Sequence, residues 1–553
     1  MIHSERYALK RELASLIRRL EPSTHQTITP LLGPLIDGID AQHTHILLSD
    51  AQCSVLVEHP CPNLIGDPAS NSPMLLWENR LYFRRYYNLE RRIANQLIAR
   101  HKELNRSESD APMQHVRRNY PLLSAQQIEA VELAHTRSLS IITGGPGTGK
   151  TTLIKALLSS VLASNADLRV ALAAPTGKAV ARLERSLDGL SLSPDQVEVK
   201  TLHRLLGYGA GRRPRYDSNR RLALDLIVID EASMIDLNLA DALLQALPDE
   251  AQLILIGDPN QLPSVNLGRL LADLAQPLQS GELLLQAAQC QLTENFRFEA
   301  KSGIDALAKA IVAQRPISLD QDPAVQWLEP EALDDQLLMQ AFSAWLDCLG
   351  KPSAPREFFE ALDACRILAP QYGGPYGVMA LNQRVISILQ KLKLVEINPR
   401  DHFHGQPLLI MKNDYRLDLF NGDVGFCIDP KQCGSLTQDL PQSSTLIACF
   451  KHHRENTLRY FSISALPEHE TCFAMTVHKA QGSEFDEVLF VLDESDSEPD
   501  HHLLTQELIY TGVTRAKERL KLITSQQTWI HAAHHRLQRR SGLKAMLSAL
   551  EAP

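Results

Sequence analysis

The chain has 553 residues, with 56 Lys and Arg against 65 Asp and Glu for a formal net charge of −9, and it is 44% apolar and 22% charged. Such a length exceeds one hydrophobic core and predicts three or four units at roughly 150 residues each. The composition is that of a globular protein, no apolar run approaches the ~20 residues that span a bilayer, and the acidic balance excludes nucleic-acid binding through overall basic charge, so any such contact must be local.

The opening MIHSERYALKRELASLIRRL alternates charged and apolar residues at helical spacing and lacks the apolar core of a signal peptide, so a cytoplasmic protein is expected. Residues 1–115 read as amphipathic helices around the apolar segment HILLSDAQCSVLV and end in LYFRRYYNLERRIANQLIAR, which predicts a partner-docking or packing domain. His43 and His45 form a His-x-His pair, but Thr44 between them is not apolar, no third histidine stands nearby, and Tyr7 is the single early tyrosine, so a relaxase-type nicking site is not predicted. From SLSIITG onward short apolar strands alternate with helical stretches: RVALAAP, LDLIVID, AQLILIG, then RILAP, FAMTV and EVLFVL. That alternation predicts parallel α/β sheets with crossover helices, a first domain over 116–295 and a second over 296–553. Gly, Pro, Asn and Asp punctuate short β-like runs around 395–465, which predicts a small β-rich insertion in the second domain. The stretch GRRPRYDSNRR, with Arg212, Arg213, Arg215, Arg220 and Arg221, predicts a loop or hairpin, either solvated or in contact with phosphate. His501, His502, His534 and His535 and the acidic run DESDSEPD read as solvated loop residues. Nine cysteines form no CxxC pair, and Cys53/Cys61 and Cys427/Cys433 lack zinc or iron–sulfur spacing, so they are expected to be reduced core thiols.

GGPGTGKTT follows the strand SLSIIT and precedes the helical stretch KTTLIKALLSSVL, the two flanks a phosphate loop requires. Its residues Gly144, Gly145, Pro146, Gly147, Thr148, Gly149, Lys150, Thr151 and Thr152 are therefore assigned to the nucleotide. Glycines let the backbone wrap phosphates with its N–H groups inward, and the helix N-terminus adds partial positive charge. Lys150 would reach the β and γ phosphates, and the Thr151 hydroxyl would complete Mg²⁺ coordination. LDLIVIDEASM places Asp230 and Glu231 at the end of an apolar strand, where Asp230 would hold Mg²⁺ and Glu231 would polarise water as general base. GDPNQLPSV offers Gln261 as a sensor of the γ-phosphate. In YPLLSAQQIEAV, Gln127 has better spacing than Gln126 for reading adenine.

Taken in order, Gln127, GGPGTGKT, APTGKAVARL, TLHRLLG, DEASM, GDPNQLPSV, ENFRF, TVHKAQGSEFDEV and YTGVTRAKERL resemble the motif series of superfamily 1 helicases. TLHRLLG and TVHKAQGSEFD resemble its 5′-to-3′ branch, and within it the RecD family, the alpha subunits of exodeoxyribonuclease V. The resemblance covers residues 120–525. It implies two RecA-like domains with ATP between them, arginine fingers at Arg297 and Arg515 worth on the order of 10³ to 10⁵ in rate, and Glu484 near the ribose. It also implies a DNA track along Thr176, Lys178, His203, Thr476, His478, Lys479 and Ser483, groups suited to hold a sugar-phosphate backbone without reading bases. About 140 residues precede the P-loop and include LYFRRYYNLE, similar to the family's partner-docking domain, whereas stand-alone RecD-like helicases carry a longer extension. The resemblance thus implies RecB-like and RecC-like subunits in a heterotrimer, with the nuclease on the RecB-like partner, since no acidic cluster with a lysine forms a nuclease site here. The alternatives are a structural subunit whose ATPase modulates a partner nuclease, and a stand-alone helicase.

Overall fold

The computed structural model describes residues 12–551 apart from 16, 20–21, 23–24, 105–110, 166, 191–192, 194–195, 210–212, 276–283, 297–302, 316–321, 399–400, 415, 434–444, 453–456 and 494–503. Tyr7, Arg212, Arg297, His501, His502 and most of the acidic run lie outside the described residues.

The N-terminal part is mainly helical, as expected, but its apolar segment does not continue as one element. HIL forms strand β1 (His45–Leu47), and Ser49 then caps a helix over Asp50–Glu58 through a reciprocal box with Gln52. With β2 (Ile65–Gly66), β3 (Met74–Trp77) and β4 (Arg80–Phe83) the strand makes a small mixed sheet in the order β1-β4-β3-β2. The helix Arg84–Arg100 follows and buries Tyr87, Ile93, Ala94 and Leu97 in a core shared with the next domain. Arg92 forks onto Asp241 at 3.0 and 2.7 Å, and buried Arg100 donates to the Leu247, Pro248 and Ala251 carbonyls.

The first α/β domain has six parallel strands: β5 (Leu139–Gly144), β6 (Val170–Ala174), β7 (Val197–Thr201), β8 (Leu226–Ile229), β9 (Gln252–Gly257) and β10 (Gln289–Leu292), in the order β10-β5-β9-β8-β6-β7. Its apolar runs are covered on both faces, as parallel strands require. Ile141, Ala173, Ile227, Ile229 and Leu255 point into one core, whereas Ile142, Leu172, Val228 and Ile256 point into the other. Helix Ala111–Asn119 packs Val116 into the second of these cores, so the domain begins slightly before residue 116.

The second α/β domain has β11 (Val325–Leu328), β12 (Cys365–Ala369), β18 (Ala474–Thr476), β19 (Phe485–Val491) and β20 (Ala516–Ile523), all parallel in the order β11-β20-β19-β12-β18. The β-rich insertion is an antiparallel sheet of β13 (Pro407–Ile410), β14 (Val424–Ile428), β15 (Ile447–Lys451), β16 (Leu458–Ser462) and β17 (His469–Thr471), ordered β16-β15-β14-β13-β17. It runs to Thr471, a few residues past the expected boundary. The chain end departs from the predicted division. Gly542 N and Ser541 Oγ donate to buried Glu90, and Leu543, Met546 and Leu547 join the core of the first domain. No helix among the described residues is long and apolar enough to cross a membrane.

Candidate functional site: a nucleotide cleft between two domains

The loop after β5 turns through left-handed backbone at Gly147 (φ 81°) and Gly149 (φ 75°), positions where a side chain would be strained. The helix Lys150–Ser164 starts at once and aims its N-terminus along the loop. Lys150 Nζ lies over the loop, donating to the Gly144 and Gly145 carbonyls at 2.7 and 2.9 Å, and buried Thr148 donates its hydroxyl to Gly145 O at 2.8 Å. Thr151 lines the cleft, whereas Thr152, expected beside it, is exposed and does not line it. Gln127 differs from expectation too. Its Oε1 accepts Ser124 N in a capping box and its Nε2 donates to Thr148 O at 3.1 Å, so in this structure it braces the P-loop and does not line the cleft. Gln126 is engaged as well, with Thr293.

The cleft has a volume of about 240 Å³ and brings together Pro146, Gly147, Gly149, Lys150, Thr151, Asp230, Glu231, Gln261, Glu484 and Arg515. Asp230 and Glu231 are both buried. Burial, then the Glu231 charge, pushes the Asp230 carboxyl up, and Lys150 opposes them. Glu231 holds a left-handed backbone, φ 53°, rare for a non-glycine residue and typical of sites where geometry is fixed for function. Arg515 is 2% exposed and reaches the cleft from the second domain, its guanidinium held by Thr511 O at 3.0 Å, Ser483 O at 3.1 Å and Thr514 Oγ1 at 3.3 Å.

Two residues that the motifs left unassigned also stand in the walls. Arg182 pairs with Glu484 at 3.1 Å across the two domains, so Glu484 is engaged by an arginine inside the cleft. Phe296, at the rim, is 54% exposed, and its N–H donates to Gly147 O at 2.8 Å while Asn295 Nδ2 donates to Pro146 O at 3.1 Å. The sequence signal for Phe296 was its place beside Arg297 in ENFRF, and that for Arg182 was its place in APTGKAVARL; the pairing of Arg182 with Glu484, 302 positions away, carried none. Behind Gln261, its Nε2 and the Tyr510 hydroxyl both donate to Asp258 Oδ2, at 3.3 and 2.8 Å, while Thr511 Oγ1 accepts Leu262 N and Gln481 Nε2 donates to Leu262 O. Burial raises the Asp258 carboxyl and, more strongly, the Tyr510 phenol.

The candidates for the DNA track are only partly gathered. Thr176 caps the helix Gly177–Ser186, Lys178 Nζ donates to Ser483 Oγ at 3.3 Å, and Gly482 packs near the Thr176 hydroxyl, so these meet at the domain junction. Thr476 Oγ1 accepts Lys479 N, and Lys479 Nζ pairs with Glu470 of the insertion at 3.4 Å. His478 is held below the usual imidazole range by burial and then by Arg539. His203 is exposed beside Tyr208, at 5.2 Å between ring centres. His43 Nδ1 accepts Arg540 N and His45 lies against Tyr82, so both histidines of the early pair have packing roles.

Two parallel sheets closing on one P-loop cleft, with the motif series in its walls, define a superfamily 1 helicase that uses ATP. Residues 127–267 match the family model of an AAA domain, and 471–523 that of a UvrD-like helicase C-terminal domain. The chain is 34% identical over 521 residues to the RecBCD enzyme subunit RecD of Mycobacterium tuberculosis, covering 88% of this chain and 83% of that one. It is 32% identical over 559 residues to RecBCD enzyme subunit RecD of Haemophilus influenzae, with the same coverage. The ATP-dependent RecD2 DNA helicase of Deinococcus radiodurans is 30% identical over 433 residues, 77% of this chain and 53% of that one. Among solved structures, the Pif1 helicase from Candida albicans is similar over 78% of this chain and all of its own length, at 16% identity and a TM-score of 0.41. The chain belongs to the RecD family.

Proposed function

We propose that the chain is an ATP-driven motor that moves 5′ to 3′ on single-stranded DNA as the RecD-type subunit of a cytoplasmic helicase–nuclease, acting on duplex ends in double-strand break repair and recombination. The observation that carries the reading is the composition of the cleft: a P-loop, a buried carboxylate pair, Gln261 and the second domain's Arg515 line one cavity. The RecB-like and RecC-like partners, the partner nuclease and the direction of travel rest on the RecD relatives.

The residues divide the chemistry by charge. Lys150 would leave the loop carbonyls for the β and γ phosphates. Glu231, fixed by its backbone, would take the proton of the attacking water, and Arg515 would meet charge developing on the transferred group. Gln261 would register the γ-phosphate and pass its position to the second domain through Asp258 and Leu262. Arg297 is proposed as a second cationic contact, and the exposed ring of Phe296 as a stacking surface for the base. Thr151 and Asp230 supply oxygen donors beside a second buried carboxylate, a hard set that fits Mg²⁺, which would neutralise phosphate charge. The junction of Thr176, Lys178 and Ser483 is proposed as the centre of the DNA track, with His203, Thr476, His478 and Lys479 around it.

The deciding experiment is ATP hydrolysis by the purified chain with and without single-stranded DNA, beside Lys150→Gln. DNA-stimulated hydrolysis that disappears in Lys150→Gln, with DNA binding retained, is expected; a variant that still hydrolyses ATP at the wild-type rate would show the phosphate site to be misassigned.

A further inference from the structure

The insertion sends the segment 416–423, between β13 and β14, across the domain junction onto the first domain. Arg204, on the short helix Leu202–Leu205 that Thr201 caps, pairs with Asp418 Oδ1 at 2.6 Å, and its guanidinium lies over the Phe420 ring at 4.5 Å. Phe420 rests against Gly177, where a methyl would come within 3.6 Å of the ring, and Gly422 lies beside Lys178. The segment therefore sits on the residues proposed for the DNA track.

Its own bonds make it a preformed unit. Asp414 accepts the Arg416 and Leu417 N–H groups, Asp423 accepts Phe420 N at 2.7 Å, Asn413 accepts Asn421 N at 2.8 Å, and Leu419 is buried in the core of the insertion. Asp418 occupies left-handed backbone, φ 51°. A second arginine from the insertion, Arg459, reaches the same carboxylate at 3.6 Å and donates to Leu417 O at 2.5 Å. Two guanidinium groups, one from each domain, thus converge on a single internal anion, and all three side chains are 26–36% exposed. A phosphodiester has the charge and the planar pair of oxygen acceptors that this fork is holding.

We propose that the segment 416–423 is a latch over the DNA track, and that Arg204 and Arg459 form a site for a backbone phosphate of single-stranded DNA which Asp418 fills until a strand replaces it. The proposal rests on the DNA-motor reading above. Entry of the strand exchanges one anion for another on the same arginines, so the latch opens without leaving a cation unpaired. Arg204 then grips the strand from the first domain and Arg459 from the insertion, which moves with the second.

The test is the affinity of the full chain for labelled oligothymidylate across a salt series, for the wild type, Asp418→Asn, Arg204→Gln and the double variant. Asn tolerates the same left-handed backbone, so Asp418→Asn leaves the loop intact. It should bind on the order of fivefold tighter, the scale of one partly exposed ion pair. Arg204→Gln should bind more weakly with a salt slope lower by about 0.7, one phosphate contact on a single strand, and should reduce the gain from Asp418→Asn in the double variant to the part that Arg459 carries. Asp418→Asn at or below wild-type affinity, or Arg204→Gln with an unchanged slope, overturns the latch while the motor reading stands. A wild type that binds no single-stranded DNA overturns both.

Discussion

Tyr510→Phe isolates one atom at the junction of the two domains. The Tyr510 hydroxyl donates to Asp258 Oδ2 at 2.8 Å, the shorter of the two side-chain bonds to that oxygen, and a methyl at Gly145 would come within 3.1 Å of it, so it borders both the P-loop and Gln261, the proposed γ-phosphate sensor. Asp258 is 1% exposed and burial already raises its pKa, so bulk solvent does not reach it to replace the lost donor. A hydrogen bond to a charged group is worth about 1.5–3 kcal/mol. If the bond forms only when the domains are docked, its loss shifts that equilibrium by roughly tenfold to hundredfold, at 1.4 kcal/mol per factor of ten. Steady-state ATPase at saturating single-stranded DNA should show kcat falling by that factor with KM for ATP little changed, because Lys150 and the P-loop belong to the first domain. Adding Asp258→Asn should restore part of the loss, since a neutral amide needs the donor less than a buried carboxylate does. An unchanged kcat in Tyr510→Phe, or a loss that appears equally in KM and is not relieved by Asp258→Asn, refutes the reasoning.

Phe296→Ala should weaken ATP binding by about twofold to tenfold, the range of an aromatic stacking contact, with kcat held; equal affinity by nucleotide titration would remove the ring from the base site. Glu90 carries a pH signature. Burial lifts its carboxyl to about 7 from 4.5, so the folded chain binds a proton the unfolded chain lacks between those values, and stability falls as pH rises through that window, by up to roughly 3 kcal/mol in total. Glu90→Gln retains an acceptor for Ser541 and Gly542 and should lose this fall between pH 5 and 8 in denaturant titrations; identical pH slopes for the two proteins would count against it.

The nucleotide half of the site was legible because its chemistry is local. A P-loop needs its glycines, lysine and threonine within nine residues, and Asp230 and Glu231 end a strand whose apolar run announces it. Elements whose identity depends on partners were not legible. AKERLKLI carries charged side chains that do not announce a strand, yet it pairs beside β11 and β19 as β20, with Lys517, Arg519 and Lys521 answering Asp486 and Glu487. Gln127 fits an adenine reader by spacing, and only the position of the Thr148 carbonyl shows it bracing the loop. Arg182 with Glu484, Arg204 with Asp418, and Glu90 with Ser541 are separated by 302, 214 and 451 positions, and nothing in either local stretch encodes the partner.

The turn from β18 to β19 shows why such pairings matter to a motor. Within four residues, Gln481 Nε2 bonds the carbonyl of Leu262 in the sensor loop, the Ser483 carbonyl holds Arg515, the Ser483 hydroxyl accepts Lys178, and Glu484 pairs with Arg182. Val477, Ala480 and Gln481 are buried, so the turn has little room to deform independently of its contacts. In the proposed function, a change that moves Gln261 against the γ-phosphate would bear on the same backbone that positions the arginine and the proposed track. On the same proposal, coupling between hydrolysis and movement on DNA would need no long relay, because this one packed turn touches the nucleotide cleft on one side and the proposed track on the other.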